Sequence, residues 1–174
     1  MGLQIVFCVE AKKSSKTDYI YIKATVESFY SFDRANTRLS PIYLNGKGNY
    51  TSKKVCREIT KYTNQYRVAA KGNETIVVFC FDCDEYDRRP EDLKFLQDAE
   101  EYCKKHGYKF VWFCKDVESV YIGKTVPDNQ KVKVAGDFKK KQLIKQVDMR
   151  NLRADQYLNQ KSNICNVLDE IFNE

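Results

Sequence analysis

The chain has 174 residues, of which 43% are hydrophobic and 31% charged, with a formal net charge of +6. That length favours one core and a single domain, and the apolar and aromatic content excludes a disordered chain. No apolar run approaches the roughly 18 residues that a membrane span needs, and a pI of about 8.8 suits an anionic partner without demanding one.

The first run, "LQIVFCVE" at residues 3–10, is almost continuously apolar and rich in β-branched and aromatic side chains. Such a run predicts a parallel strand covered on both faces. No basic residue precedes it, so it does not read as a secretory signal, and a cytoplasmic protein is expected. Ser14 to Phe32 carries Tyr19, Ile22 and Val26 on one stripe, a helical period. "RLSPIYLNGKG" predicts a second strand, on an edge where Pro41 is tolerated, closed by a turn at Asn45 to Gly48. Ser52 to Tyr66 repeats Val55, Ile59, Tyr62 and Tyr66 at helical spacing.

"TIVVFCFDCD" predicts the third strand, and residues 89–107 a helix with Pro90 and two acids in its first turn and Gly107 as its stop. "KFVWFC" predicts the fourth strand. This alternation predicts an α/β fold with a four-stranded, or slightly larger, parallel sheet and helices on both faces. Residues 1–123 form that core. Residues 124–174 form a helical extension packed on it, with Lys124 to Val134 an exposed loop, Asp137 to Met149 a basic helix, and Ile164 to Phe172 a last helix capped by Ser162 or Asn163.

Two features carry little chemistry. The seven cysteines lie mostly in apolar runs, as reduced, buried thiols do. Cys80 and Cys83 fall on opposite faces of a strand with no second pair at zinc-site spacing. The only histidine, His106, sits before Gly107, where it complements a helix dipole, and no nucleophile accompanies it.

In an open parallel sheet, ligands gather at the carboxyl ends of the strands. Glu10 ends the first strand, Asp82 and Asp84 the third, Asp116 and Glu118 follow the fourth, and Gly46 and Gly48 follow the second. Asp82 and Asp84 point to one side if the strand continues that far. Held together they repel, and a hard cation bound through carboxylates and water relieves the repulsion. Glu10 could complete that ligand set or act as general acid or base. Glu85, Asp87, Glu91 and Asp92 fit the ordinary role of acids at a helix N-terminus.

"IVFCVE" with its terminal glutamate, followed 72 residues later by the first aspartate of "VVFCFDCD", resembles the Toprim domain. "FCKDVESVYIG" is similar to the segment after the fourth strand in the RloB-like and OLD-nuclease group of Toprim proteins of bacterial and phage defence. The resemblance covers roughly residues 3–123. It implies Mg²⁺-dependent phosphodiester hydrolysis in RNA or DNA, with Mn²⁺ as the alternative ion. Glu10, Asp82, Asp84 and Glu118 would be catalytic, and Glu10, Asp82, Asp84 and Asp116 would hold metal. A small stand-alone nuclease is implied, since 174 residues leave no room for a topoisomerase or primase body.

Lys12, Lys13 and Lys16 follow Glu10 closely and would meet substrate phosphates. Lys139, Lys140 and Lys141, with Lys145, offer a backbone-contacting face, and Lys161 could reach a scissile phosphate. The turn "NGKGN" could offer N–H groups to phosphate, though without P-loop spacing. Expected partners are nucleic acid, an ATPase protein and a second copy of the chain, with no membrane. Where Toprim proteins often carry glycine after the first glutamate, this chain has Ala11. That departure keeps a second reading, an inactive Toprim-like module binding nucleic acid or an ATPase. A receiver-like phosphoacceptor would need paired acids after the first strand, where Glu10 stands alone.

Overall fold

The computed structural model describes residues 2–172. Four strands, β1 (Leu3–Val9), β2 (Thr37–Tyr43), β3 (Glu74–Asp82) and β4 (Lys109–Phe113), form one sheet in the order β2-β1-β3-β4. Every pairing is parallel. β1 and β3 are the inner strands, and from Ile5 to Val9 and Val78 to Phe81 their side chains are almost fully buried, as the unbroken apolar runs require. Pro41 pairs with Phe7 from the edge strand β2, where its missing N–H leaves no ladder bond unmade on the outer side.

Helices cover both faces. On one side α1 (Thr17–Phe29), α4 (Val117–Ile122), α5 (Asp128–Lys140) and α6 (Ile164–Phe172) close over Ile5, Phe7, Val9, Val78 and Val111. On the other, α2 (Lys53–Ala69) and α3 (Pro90–His106) close over Val6, Cys8, Val77, Phe79 and Phe81. Cys80 and Cys83 lie in these two opposite layers.

Helix boundaries follow local chemistry. Ser52 caps α2 by accepting the Val55 N–H at 3.3 Å. Pro90 opens α3, and Gly107 closes it in the left-handed region at φ 69°. Ser162 Oγ accepts the first N–H of α6, from Ile164, at 3.1 Å. Asn163 does a different job: its Oδ1 accepts the Trp112 N–H at 2.9 Å and its Nδ2 donates to the Phe110 carbonyl at 3.0 Å. With the Cys114 N–H donating to the Lys161 carbonyl at 2.9 Å, this segment covers the outer edge of β4.

The region after Gly123 differs from its sequence expectation. Lys124 to Val134 is not a loop throughout, because α5 begins at Asp128. The helix expected over Asp137 to Met149 ends at Lys140. Gln142 then takes a left-handed φ of 52°, and two short 3₁₀ turns follow, at Leu143–Gln146 and Met149–Leu152. Phe138, 1% exposed, packs against the stacked rings of Tyr21 and Tyr121 and ties α5 to the core. No helix among the described residues is long and apolar enough to cross a membrane.

Candidate functional site

From β1 the chain runs out to β2 on one side and returns past β1 to β3 on the other. Its order therefore reverses between β1 and β3, the place where open parallel sheets gather ligands. Glu10 and Asp82 stand there. The Asp82 N–H donates to Glu10 Oε1 at 2.8 Å, and Asp82 Oδ1 accepts the Val117 N–H at 3.0 Å. Asp82 thus links β3 to the first residue of α4, itself capped by Asp116, which accepts the Ser119 N–H at 2.7 Å.

Two more acids complete the cluster. Glu118, in the first turn of α4, is 0% exposed, and neither of its carboxylate oxygens has a hydrogen-bond partner. The Lys131 ammonium of α5 lies 3.3 Å from Glu118 Oε2. Asp18, in the first turn of α1, accepts the Ala11 N–H at 2.9 Å and the Thr17 hydroxyl at 3.2 Å.

The electrostatics reflect crowding. Burial, then the charges of Glu10, Asp18, Glu118 and Asp116, raise the Asp82 carboxyl well above the usual aspartate range. Burial raises Glu10 to about 8 against the Asp82 N–H bond, with Asp84 and Asp18 adding to the rise and Lys47 opposing it. Asp18 and Glu118 are also raised, chiefly by burial. Burial alone would lower Lys131, but Glu118, Asp82 and Asp116 carry it above the ordinary lysine value.

Asp84 sits apart from this cluster. β3 ends at Asp82 and Asp84 takes a left-handed φ of 49°, so strand alternation does not set the two carboxylates side by side. Instead Asp84 forms an ion pair with Lys47. Lys47 also reaches Asp92 at 3.3 Å and lies over the Phe95 ring, 4.8 Å from its centroid. Lys47, Asp84 and Asp92, with Arg89, Lys115 and Asp116, line a cleft of about 460 Å³.

The basic residues divide. Lys12, Lys13 and Lys16 are exposed in the turn between β1 and α1, within a few residues of Glu10. Lys139 shares a surface hollow with Lys16 on the flank of α1, and Lys140 and Lys141 are exposed where α5 ends. Lys161 donates to Asn151 Oδ1 at 2.5 Å, on the β4 side of the molecule. His106 engages the Tyr102 carbonyl at 2.8 Å, among aromatic rings at the end of α3.

Sequence reasoning missed Asp18, Lys47 and Lys131. Asp18 carries only the signal of an acid in a helix first turn, and Lys131 falls in the segment expected to be loop.

Among the described residues, no three acidic, cysteine or histidine side chains stand in a metal-binding cluster as placed. The donors are nonetheless hard carboxylate oxygens. Glu10 and Asp82 each have one oxygen held by a main-chain N–H. This set fits an ion that binds through one or two carboxylates and keeps several waters, as Mg²⁺ does, and not one that needs an all-protein cage. Neither a family model, nor a curated protein, nor a solved structure matches this chain.

Proposed function

We propose that the chain is a nuclease that hydrolyses phosphodiester bonds in RNA or DNA with Mg²⁺, or with Mn²⁺ in its place. One observation carries this reading: Glu10 and Asp82 meet at the reversal point of a parallel sheet, with Asp18, Asp116 and Glu118 near enough for their charges to raise Asp82 further. Glu10 and Asp82 would hold the ion, with Asp116 and Glu118 supporting it and Asp84 at the mouth of the adjoining cleft. When bound, Mg²⁺ supplies positive charge to the phosphate oxygens and favours an ionised attacking water. Asp82 is held through its main-chain N–H by Glu10 and through Oδ1 by the Val117 N–H, which restricts its free oxygen. Glu10, free at one oxygen, would exchange a proton with the attacking or leaving oxygen. Lys12, Lys13 and Lys16 would draw the nucleic-acid backbone toward that edge.

A second reading has its own observation. Lys131 and Lys47 already neutralise Glu118 and Asp84, as they would in an inactive module that binds nucleic acid or an ATPase. Labelled tRNA, single-stranded DNA and duplex DNA, incubated with Mg²⁺ or Mn²⁺, separate the two. Cleavage by the wild type that disappears in Asp82→Ala supports the nuclease. Binding without cleavage under every ion supports the module.

A further inference from the structure

Beside the acid cluster, along the edge strand β2, lies a groove of about 550 Å³ whose lining includes Lys12, Lys13, Lys16, Lys54, Tyr43 and Tyr62. We infer that it binds a single-stranded segment of nucleic acid, lysines on its phosphates and a tyrosine ring under an unstacked base. The inference depends on the nuclease reading only for the direction in which the strand leads, toward Glu10; the binding stands without catalysis.

Charge is the first argument. Lys47, Lys115 and Lys131, nearer the acids, are held in ion pairs with Asp84, Glu85 and Glu118. The four groove lysines have no ion pair among the described residues, and all four are exposed. Their charge is therefore available to phosphates.

The tyrosines are the second. Tyr43 ends β2, and Tyr62 comes from α2, where Lys54, Glu58 and Tyr62 recur every four residues along one stripe. Burial, then the Asp18 charge and Tyr62, raise the Tyr43 hydroxyl; burial, then Tyr43, Glu27 and Tyr62, raise Tyr19. Tyr43 packs with the α1 layer and Tyr62 with the α2 layer, so the groove that both line wraps the open edge of β2. Both groove tyrosines remain half-exposed. Duplex nucleic acid shows a protein phosphates and base edges, whereas an unpaired base offers a face to stack on such a ring. Glu58, also in the groove, repels phosphate but can accept from a base amino group.

Register supplies the third. Tyr43 pairs with Val9, the residue before Glu10, and the Gly46 N–H donates to the Glu10 carbonyl at 3.0 Å. Adjacent strands lie about 4.8 Å apart. The groove wall and the proposed catalytic carboxylate are neighbours, and a strand lying in one passes the other.

The experiment is fluorescence anisotropy in EDTA, with labelled oligodeoxythymidine, oligouridine and a duplex of equal length. Single strands should bind at least about tenfold more tightly than duplex. Tyr62→Ala should weaken binding by about 5- to 150-fold, the effect of losing one stacked base, while Tyr62→Phe retains it. Lys54→Glu, on an exposed site that does not touch folding, should also weaken it. Four neutralised phosphates give a salt slope of about −2.8, and each lysine removed should reduce it by about 0.7. Wild-type binding by both Tyr62→Ala and Lys54→Glu overturns the inference, as does equal affinity for duplex. So does displacement by polyglutamate at equal charge concentration, which would mark an acidic protein segment as the occupant. If the groove variants bind as wild type while Asp82→Asn loses cleavage, this inference fails and the nuclease reading survives. If groove-dependent binding occurs with no cleavage under any ion, the reverse holds.

Discussion

The ammonium of Lys131 lies 3.3 Å from a carboxylate oxygen of Glu118, a side chain with no solvent exposure. One comes from α5 and the other from α4, and Lys131 also bears on Asp82, Asp116 and Asp18. While Lys47 acts on Glu10, Lys131 thus offsets part of the acid cluster at the carboxyl edge of the sheet.

Removing that cation should be costly. Breaking a fully buried pair costs about 3–5 kcal/mol, and partial exposure of Lys131 reduces this to about 1–3 kcal/mol for Lys131→Met. Urea denaturation without divalent ions measures it. Adding Glu118→Gln should restore most of the loss, and Mg²⁺ should stabilise Lys131→Met more than the wild type.

The raised carboxyls set a pH dependence. A group whose pKa is higher in the fold than in the unfolded chain favours folding below its unfolded value and loses that contribution as pH rises through its folded value. Glu10 moves from its ordinary 4.5 to about 8, and Asp18, Asp82 and Glu118 move the same way. Stability without metal should fall between about pH 5 and about pH 8, as thermal melts would read. Asp33, Asp148 and Asp169 are lowered and act oppositely, but only below that window. A saturating divalent ion should flatten the decline.

Asp82→Asn separates a functional carboxylate from a structural one. Asparagine keeps an Oδ1 for the Val117 N–H while removing the charge that the neighbouring acids repel. Metal-dependent cleavage should fall by at least about 100-fold, while metal-free stability at about pH 8 rises by about 0.5–2 kcal/mol. A loss of stability instead would mark Asp82 as purely structural.

Phe138→Ala probes the tie between α5 and the sheet core. A ring this deeply buried against Tyr21 and Tyr121 should cost about 3–5 kcal/mol when truncated. Because α5 carries Lys131, the metal-free acid cluster should lose its pH dependence in step with unfolding of this segment.

β1, β3 and β4 were legible because each is written as a nearly unbroken apolar run, β2, interrupted by Arg38, Ser40 and Pro41, because a turn closes it, and the parallel sheet follows from their alternation with helices. Pro90 and Gly107 marked the ends of α3 through backbone chemistry that does not depend on tertiary context. α5 was misplaced for a physical reason: only Ala135 and Phe138 are buried along its length, and Val132 is 57% exposed, so little apolar period exists to read. Glu10 and Asp82 could be placed at one edge because strand ends converge by topology. The pairings Lys131–Glu118 and Lys47–Asp84 could not, since they join elements whose relative placement no local pattern encodes. Asp84 shows the limit of periodicity: spacing by two means a shared side only while the strand lasts.

The cover over β4 has a consequence for biosynthesis. Synthesis runs from the N-terminus, and folding units form as they emerge. All four strands leave the ribosome well before residues 161–163, so for that interval β4 presents unpaired N–H and C=O groups along its rim. A nascent chain that has released α5 but not residues 161–163 would already possess its acid cluster and Lys131, yet would carry an adhesive strand, which makes this interval the one in which a chaperone has most to shield.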